Sequence, residues 1–287
     1  MFSHIISICV MISNTSQQST MFSIRGIALV TGAGSGIGRA TALALARAGA
    51  SGLHLADLNR GRLEETMKDV TAEATNPQFK VYMSEADLSK EDQVIRTVQD
   101  AANNFGRIDY AANIAGISEN ILAPTADTSV ATYDQVNNIN ARGVFLCMRK
   151  QLKVMRDQES VAHIPGRPGV RGSIVNMSSV YGCLGANGFT SYVTSKHAVI
   201  GLTKAAAISH SVDGIRINAV CPGFIDTPMV ENVSQYFDFP TLLEMAVPMK
   251  RFGMAEEIAD VIVFLLSECA SFVTGHSFIA DGGSSIL

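Results

Sequence analysis

In the stretch GFTSYVTSKHAV, residues 188–199, a phenol and an ammonium stand four positions apart as Tyr192 and Lys196. Residues i and i+4 share one face of a helix, so both side chains point into the same space if the stretch is helical. A free phenol titrates near about 10, too high for an efficient base at neutral pH. A neighbouring ammonium stabilises the phenolate and is expected to draw that value down. Tyr192 could then take a proton from a hydroxyl or return one to a carbonyl oxygen. The same two residue types also meet on solvated helix faces, so the pair gains meaning only beside a second site.

That second site lies near the start. The segment ALVTGAGSGIGRATALALARAGA reads as a strand, a glycine-rich turn and an amphipathic helix. Gly32, Gly34, Gly36 and Gly38 let backbone approach a pyrophosphate, whose charge then meets the helix N-terminus. Tight turns also recruit glycine for packing, but here the turn follows the first strand and opens a helix, as the phosphate motif requires. The general G-x-G-x-x-G fingerprint fails because Ile37 stands at its last position; T-G-x-x-x-G-x-G fits, from Thr31 to Gly38, with Ser35 inside the turn. Asp57, followed by Leu58, ends the second strand, where a carboxylate can accept both ribose hydroxyls of the adenosine half. It also repels a 2′-phosphate: two like charges about 4 Å apart cost roughly 4 kcal/mol at an effective dielectric of about 20. Asp57 could instead cap the next helix, a role equally open to Asn59. Ser35 brings no cation and Arg60 is expected on the helix surface, so NAD is expected in preference to NADP.

The elements that must position these groups alternate between short apolar runs and longer amphipathic ones, the pattern of βαβ units and a parallel sheet. Strands are predicted at Gly26–Val30, Gly52–Ala56, Lys80–Met83, Asp109–Asn113, Gly172–Met177, Arg216–Val220 and Ser277–Ala280. Helical patterns lie near 36–49, 60–73, 90–104, 129–154, 190–211 and 255–267. The expected fold is α/β, a single Rossmann-type doubly wound domain over 23–287, with about seven parallel strands and helices on both faces. Residues 1–22 read as a flexible leader or the product of an upstream start codon, with Met21 near the beginning of the domain. Two stretches break the rhythm. Residues 163–172 precede the fifth strand and are expected on the rim away from the chemistry, whereas 228–247 follow the sixth strand and suit a substrate lid.

Composition narrows the class further. The 287 residues carry a net charge of −4 with no block of Lys or Arg, which disfavours a nucleic-acid surface. The five cysteines, Cys9, Cys147, Cys183, Cys221 and Cys269, form no CxxC pair and read as reduced thiols, most of them in the core. The six histidines show no pair at metal spacing, so no metal is expected. The apolar run HIISICVMI falls far short of the roughly 20 residues of a membrane span, and a cytoplasmic location without membrane attachment is expected.

T-G-x-x-x-G-x-G followed far downstream by Y-x-x-x-K resembles the short-chain dehydrogenase/reductase family, from about residue 24 to 283. Other pieces agree in order. ADLS places Asp87 and Leu88 beside adenine, and NIAG keeps Asn113, Ala115 and Gly116 of the family's N-N-A-G while Ile114 replaces its second Asn. INARGVF carries the active-site Asn140, IVNMSS ends on Ser179, and NAVCPGFIDTPM brings Pro222, Gly223, Ile225 and Thr227 over the nicotinamide. The resemblance implies hydride transfer between a secondary alcohol or ketone and NAD. Tyr192 would be the acid/base, Ser179 would bind the reacting oxygen, Lys196 would hold the nicotinamide ribose, and Asn140 would support a water chain. It also implies a homotetramer built on helices 129–154 and 190–211. Tyr181, Cys183, Leu184, Phe224 and Met229 follow strand ends and are expected to line an apolar pocket for a lipophilic, secondary-metabolite-like substrate. Two other readings stand beside this one: an NADPH-dependent ketoreductase, and a non-catalytic dinucleotide sensor. The complete set of Ser179, Tyr192 and Lys196 counts against the sensor.

Overall fold

The computed structural model describes residues 22–162, 164–231 and 233–286. The expected leader lies outside them, apart from Phe22.

Seven strands form one parallel sheet: β1 (Ile27–Thr31), β2 (Gly52–Asp57), β3 (Lys80–Glu85), β4 (Tyr110–Asn113), β5 (Gly172–Met177), β6 (Ile215–Pro222) and β7 (Ser277–Ala280). Central strands such as IALVT are buried along their whole length, because helices cover both faces of a parallel sheet. The helices α1 (Gly36–Arg47), α2 (Arg60–Glu73) and α8 (Ala255–Leu266) pack one face through Leu45, Leu63 and Ile262. On the other face, α3 (Glu91–Phe105), α5 (Val144–Asp157) and α6 (Thr190–His210) contribute Val98, Met155 and Ala207.

The strand order is β3-β2-β1-β4-β5-β6-β7. It reverses between β1 and β4, and a crevice opens there beyond the carboxyl ends of the strands. In that crevice meet the glycine turn after β1, the loop after β4 and the start of α6.

The predicted long helix over 129–154 is in fact interrupted. It consists of α4 (Val130–Asn137), a π-helical turn Asn138–Gly143 and α5. Gly143 passes close under the loop after β3, since a Cβ there would lie 3.1 Å from the Leu88 carbonyl oxygen. A π turn inserts one residue without disturbing the polar–apolar pattern on either side, so periodicity could not reveal it. Residues 164–171 lead into the amino end of β5, with Val161 and Val170 paired antiparallel, on the rim opposite the crevice. Beyond β6, 228–247 carry a helical turn at Pro228–Glu231, a 3₁₀ turn at Ser234–Tyr236 and the two-turn α7 (Phe239–Ala246). Of the described cysteines, Cys147 and Cys221 are buried, while Cys183 and Cys269 are exposed rather than in the core.

Beneath the crevice a buried amide network ties four elements together. Asn113 on β4 donates to Gln151 on α5 (3.0 Å) and to Asn176 on β5 (2.9 Å), and Gln151 donates back to Asn113 (2.8 Å). Asn176 then donates to the Thr203 hydroxyl on α6 (3.0 Å). Asn113, Gln151, Asn176 and Thr203 are essentially inaccessible to solvent, so every donor removed leaves a partner stranded. Asn176→Ala should therefore lower the unfolding free energy by about 2–3 kcal/mol, read as a shift in urea midpoint at constant slope. A change below about 1 kcal/mol would show that the network does not fasten α6.

Candidate active site

The glycine turn is shaped for close approach. Gly32 and Gly36 adopt positive φ (69° and 50°), where side chains are strained. A Cβ on Gly38 would fall 1.9 Å from the Gly32 carbonyl oxygen, so α1 can start this close to β1 only with glycine there. Gly36 also faces the segment after β6, where its Cβ would lie 3.3 Å from the Thr227 methyl. Ser35, Ile37, Ala115, Gly116, Pro222, Gly223, Ile225 and Thr227 all line the resulting cavity of about 450 Å³. Asp57, Leu58, Asp87 and Leu88 line it as well.

Asp57 has its own tasks within the fold. Its Oδ2 accepts from the Gly34 N–H (2.9 Å) and its Oδ1 from the Asn59 N–H (2.9 Å). Asn59, not Asp57, caps α2 by accepting from the Arg62 N–H (3.0 Å). Arg60 pairs with Glu64 on the exposed helix surface, but Arg62 lines the cavity beside Asp57. Sequence reasoning missed Arg62 because the helical period alone does not say which side of α2 meets the crevice. Asn113 is not among the lining residues; its side chain belongs to the amide network behind the loop. Ile114, the departure from the family pattern, lines the cavity and its N–H donates to the Thr31 hydroxyl (3.0 Å).

At the chemical end, Tyr192 and Lys196 lie in the first turns of α6, the ammonium 5.3 Å from the phenol ring centroid. Lys196 Nζ donates to the Met177 carbonyl at the end of β5 (3.0 Å), and its backbone carbonyl accepts from the Ser178 hydroxyl (2.9 Å). Ser179 follows at the same strand end. Its Oγ accepts from the Tyr181 N–H (3.2 Å), which leaves its proton to donate forward, and it lines the same cavity as Tyr192. Asn140 sits in the π turn, fully buried. It donates to the Ile117 carbonyl (2.8 Å) and the Ser195 hydroxyl (3.0 Å) and accepts from the Ile117 N–H (2.8 Å). The side chain thus staples the loop after β4 to α6. Gly116 leaves room for this: a Cβ there would sit 3.1 Å from Asn140 Oδ1 and 3.4 Å from Lys196 Nζ.

Lys196 does not by itself deliver the expected drop in the phenol's pKa. Burial pushes Tyr192 up to about 12, the nearby Ser179 hydroxyl opposes that rise, and the Glu119 carboxylate adds to it. Burial also pulls Lys196 down to about 8. The ammonium stands over the ring and is tied to Met177 rather than to the hydroxyl, so it does not offset the desolvation of the phenolate.

Of the expected apolar lining, Tyr181, Phe224 and Met229 face the cavity, whereas Cys183 and Leu184 are exposed and turn away from it. Met245 and Met249 are likewise exposed. Three unforeseen aromatics complete the wall: Phe189, Phe237 and Phe239. Phe189 stacks on Phe237 (6.2 Å) and on Tyr181 (6.0 Å), and Phe237 contacts Phe239 (5.7 Å). These come from separate loops, and only the fold brings them together. His197 points outward and bonds the Val193 carbonyl on its own helix.

A family model described as enoyl-(acyl carrier protein) reductase matches residues 32–285. The chain is 39% identical over 269 residues to short-chain dehydrogenase srdC of Neurospora crassa, covering 92% of this chain and 98% of that one. It is 42% identical over 277 residues to levodione reductase of Leifsonia aquatica, covering 94% and 98%. The crystal structure of levodione reductase superposes with a TM-score of 0.83 at 41% identity, over 92% of this chain and 99% of that one.

The contact at Gly38 gives a direct test of the glycine turn. Gly38→Ala must displace the Gly32 carbonyl and should weaken dinucleotide binding at least about tenfold, a loss of some 1.4 kcal/mol, by calorimetric titration with NAD. Unchanged affinity would mean that the dinucleotide binds elsewhere.

Proposed function

The chain belongs to the short-chain dehydrogenase/reductase family, whose members carry out alcohol–ketone redox chemistry with a nicotinamide dinucleotide, and from that premise we propose that it oxidises a lipophilic secondary alcohol with NAD. The observation that carries this reading is that Ser179, Tyr192 and Lys196 line one cavity bounded by the glycine turn at one end and aromatic rings at the other.

When bound, the dinucleotide supplies the hydride carrier and, in its oxidised form, a positive ring charge beside the phenol. The residues present suit it: the glycine turn admits a pyrophosphate, Asp57 faces the crevice for the adenosine ribose, and Lys196 holds two further N–H donors for the second ribose. Ser179 donates its free proton to the substrate oxygen and holds it in place. Tyr192 takes the proton from that oxygen in oxidation and returns it in reduction. Asn140 fixes Ile117 and Ser195, and its proposed support for proton return acts through this packing of loop and helix. The aromatic wall removes water from the reacting centre and favours an apolar substrate. Residues 228–247 serve as the lid. Relatives are named both dehydrogenase and reductase, the two directions of one reaction.

One observation favours a second reading. Arg62 beside Asp57 offers a guanidinium to a 2′-phosphate, as an NADPH-dependent ketoreductase would need. Exposed Val130, Phe145 and Ile208 on α4, α5 and α6 support a homotetramer formed through these helices.

Tyr192→Phe should bind NAD within about twofold of the parent and lose turnover by at least about 10²-fold, measured on a panel of secondary alcohols by absorbance of reduced nicotinamide. Full turnover in that variant would overturn the catalytic assignment. Calorimetry should show NAD binding at least about tenfold tighter than NADP, with Asp57→Ser narrowing the gap. The reverse order would establish the NADPH reading.

A further inference from the structure

The catalytic helix begins without a local cap. Phe189 at its N-cap position makes no side-chain hydrogen bond to the first turn, and no acidic residue lies within that turn. The missing acceptor arrives from the loop after β4, 73 positions away in the chain: Glu119 Oε1 accepts from the Tyr192 N–H at 2.9 Å. Glu119 is only 2% exposed, and its Oε2 is buried without a hydrogen bond. A buried carboxylate with a bare oxygen is costly, and a neutral Ser or Asn would cap the turn as well. The expense makes sense if the charge itself has work to do.

Deepening the reading above, and resting on it for the role of the phenol, we propose that Glu119 is a positioning residue for Tyr192. It fastens the backbone of the general base to the loop after β4, and its negative charge sets the pH at which the phenol becomes a base. The groups facing the phenol are few. Lys196 lies on the same helix, Ser179 and Tyr181 on the turn after β5, Cys221 on β6, and Glu119 on the loop after β4; Phe189 meets the ring from the helix start. Glu119 supplies the carboxylate among them, while the Lys196 ammonium stands over the ring and is tied to the Met177 carbonyl. A carboxylate beside a phenol disfavours the phenolate, and removing its charge lowers the pH at which Tyr192 ionises.

Glu119→Gln keeps a carbonyl acceptor for the Tyr192 N–H and removes the charge. In alcohol oxidation with NAD, using an alcohol on which the parent turns over and Tyr192→Phe does not, the rising limb of kcat/KM should move down by about half to one pH unit. Glu119→Asp retains the charge, so its limb should remain within about 0.3 unit of the parent even if it melts earlier. Glu119→Ala should show the same downward shift as Glu119→Gln and, in addition, faster amide exchange over 189–193. Should no alcohol serve, the tyrosinate absorbance of the protein, taken as parent minus Tyr192→Phe, reports the same shift directly. An unmoved or upward-shifted limb in Glu119→Gln, or an equal shift in Glu119→Asp, would overturn the proposal. So would unchanged exchange in Glu119→Ala. Loss of turnover in Tyr192→Phe tests the base itself, so the two ideas fail separately.

Discussion

The first two turns of α6 are clamped to the ends of β4 and β5 by several buried bonds, and the geometry of the cleft depends on that clamp. Ser178 and Met177 at the tip of β5 bind the backbone and the ammonium of Lys196. Asn140 reaches Ser195 from the π turn, and Glu119 reaches the amide of Tyr192 from the loop after β4. Deeper in, Asn176 ties Thr203 to the amide network. Bonds of this kind contribute only about 0.5–1.5 kcal/mol net, and about 1.5–3 kcal/mol where Lys196 or Glu119 takes part, yet each leaves a stranded buried group if broken. The phenol and the serine hydroxyl therefore hold their separation without help from the substrate, which is what preorganisation requires.

Rigidity here has an electrostatic cost. The ammonium is buried and the phenol partly so, and the loss of solvation drives their proton affinities apart, from similar values in solution to about 12 for the phenol and about 8 for the ammonium. Each pH unit by which a phenol must fall to act as a base is worth about 1.4 kcal/mol. A buried site of low polarisability amplifies any charge brought beside it. A phenol perched high is thus poised to respond strongly to a cation arriving with a ligand and weakly to bulk solvent. The expected adjustment relied on Lys196 together with the positive charge of oxidised nicotinamide. That expectation overlooked that a lysine buried enough to touch the phenol is also desolvated.

What could be read from the sequence follows from what is local. The seven strands and the glycine turn are written in contiguous runs, and their observed bounds differ from the expected ones by a residue or two. Tyr192 and Lys196 are one helical turn apart, so spacing alone pairs them. The rest depends on distant segments meeting. Glu119 caps a helix that begins about seventy residues later, and no local pattern marks it. Phe189, Phe237 and Phe239 read as ordinary apolar residues until two loops close on one another. Cys183 and Leu184 failed as pocket residues for the opposite reason: they follow the right strand, but the short 3₁₀ turn Val180–Gly182 swings them outward.

The cover over the site is built unlike its floor. Residues of α7 are nowhere fully buried, and Met245 and Met249 project into solvent. Its attachment to the body runs through aromatic contacts, Phe239 with Phe252 at 5.2 Å and Phe237 with Phe189, and through the Tyr236 hydroxyl, which donates to the Asn120 carbonyl at 3.4 Å. Ring contacts of this kind are worth about 0.5–1.5 kcal/mol each beyond their burial and need no fixed hydrogen-bond geometry, so they can break and re-form around ligands of different shape. Segments with few buried contacts open at lower free energy than the core. The site thus has a hydrogen-bonded floor around Tyr192 and Lys196 and a cover held mainly by ring contacts. Cover and floor also meet at Asn120, next to Glu119, so the segment carrying the aromatic rings and the loop holding the Tyr192 amide share one attachment.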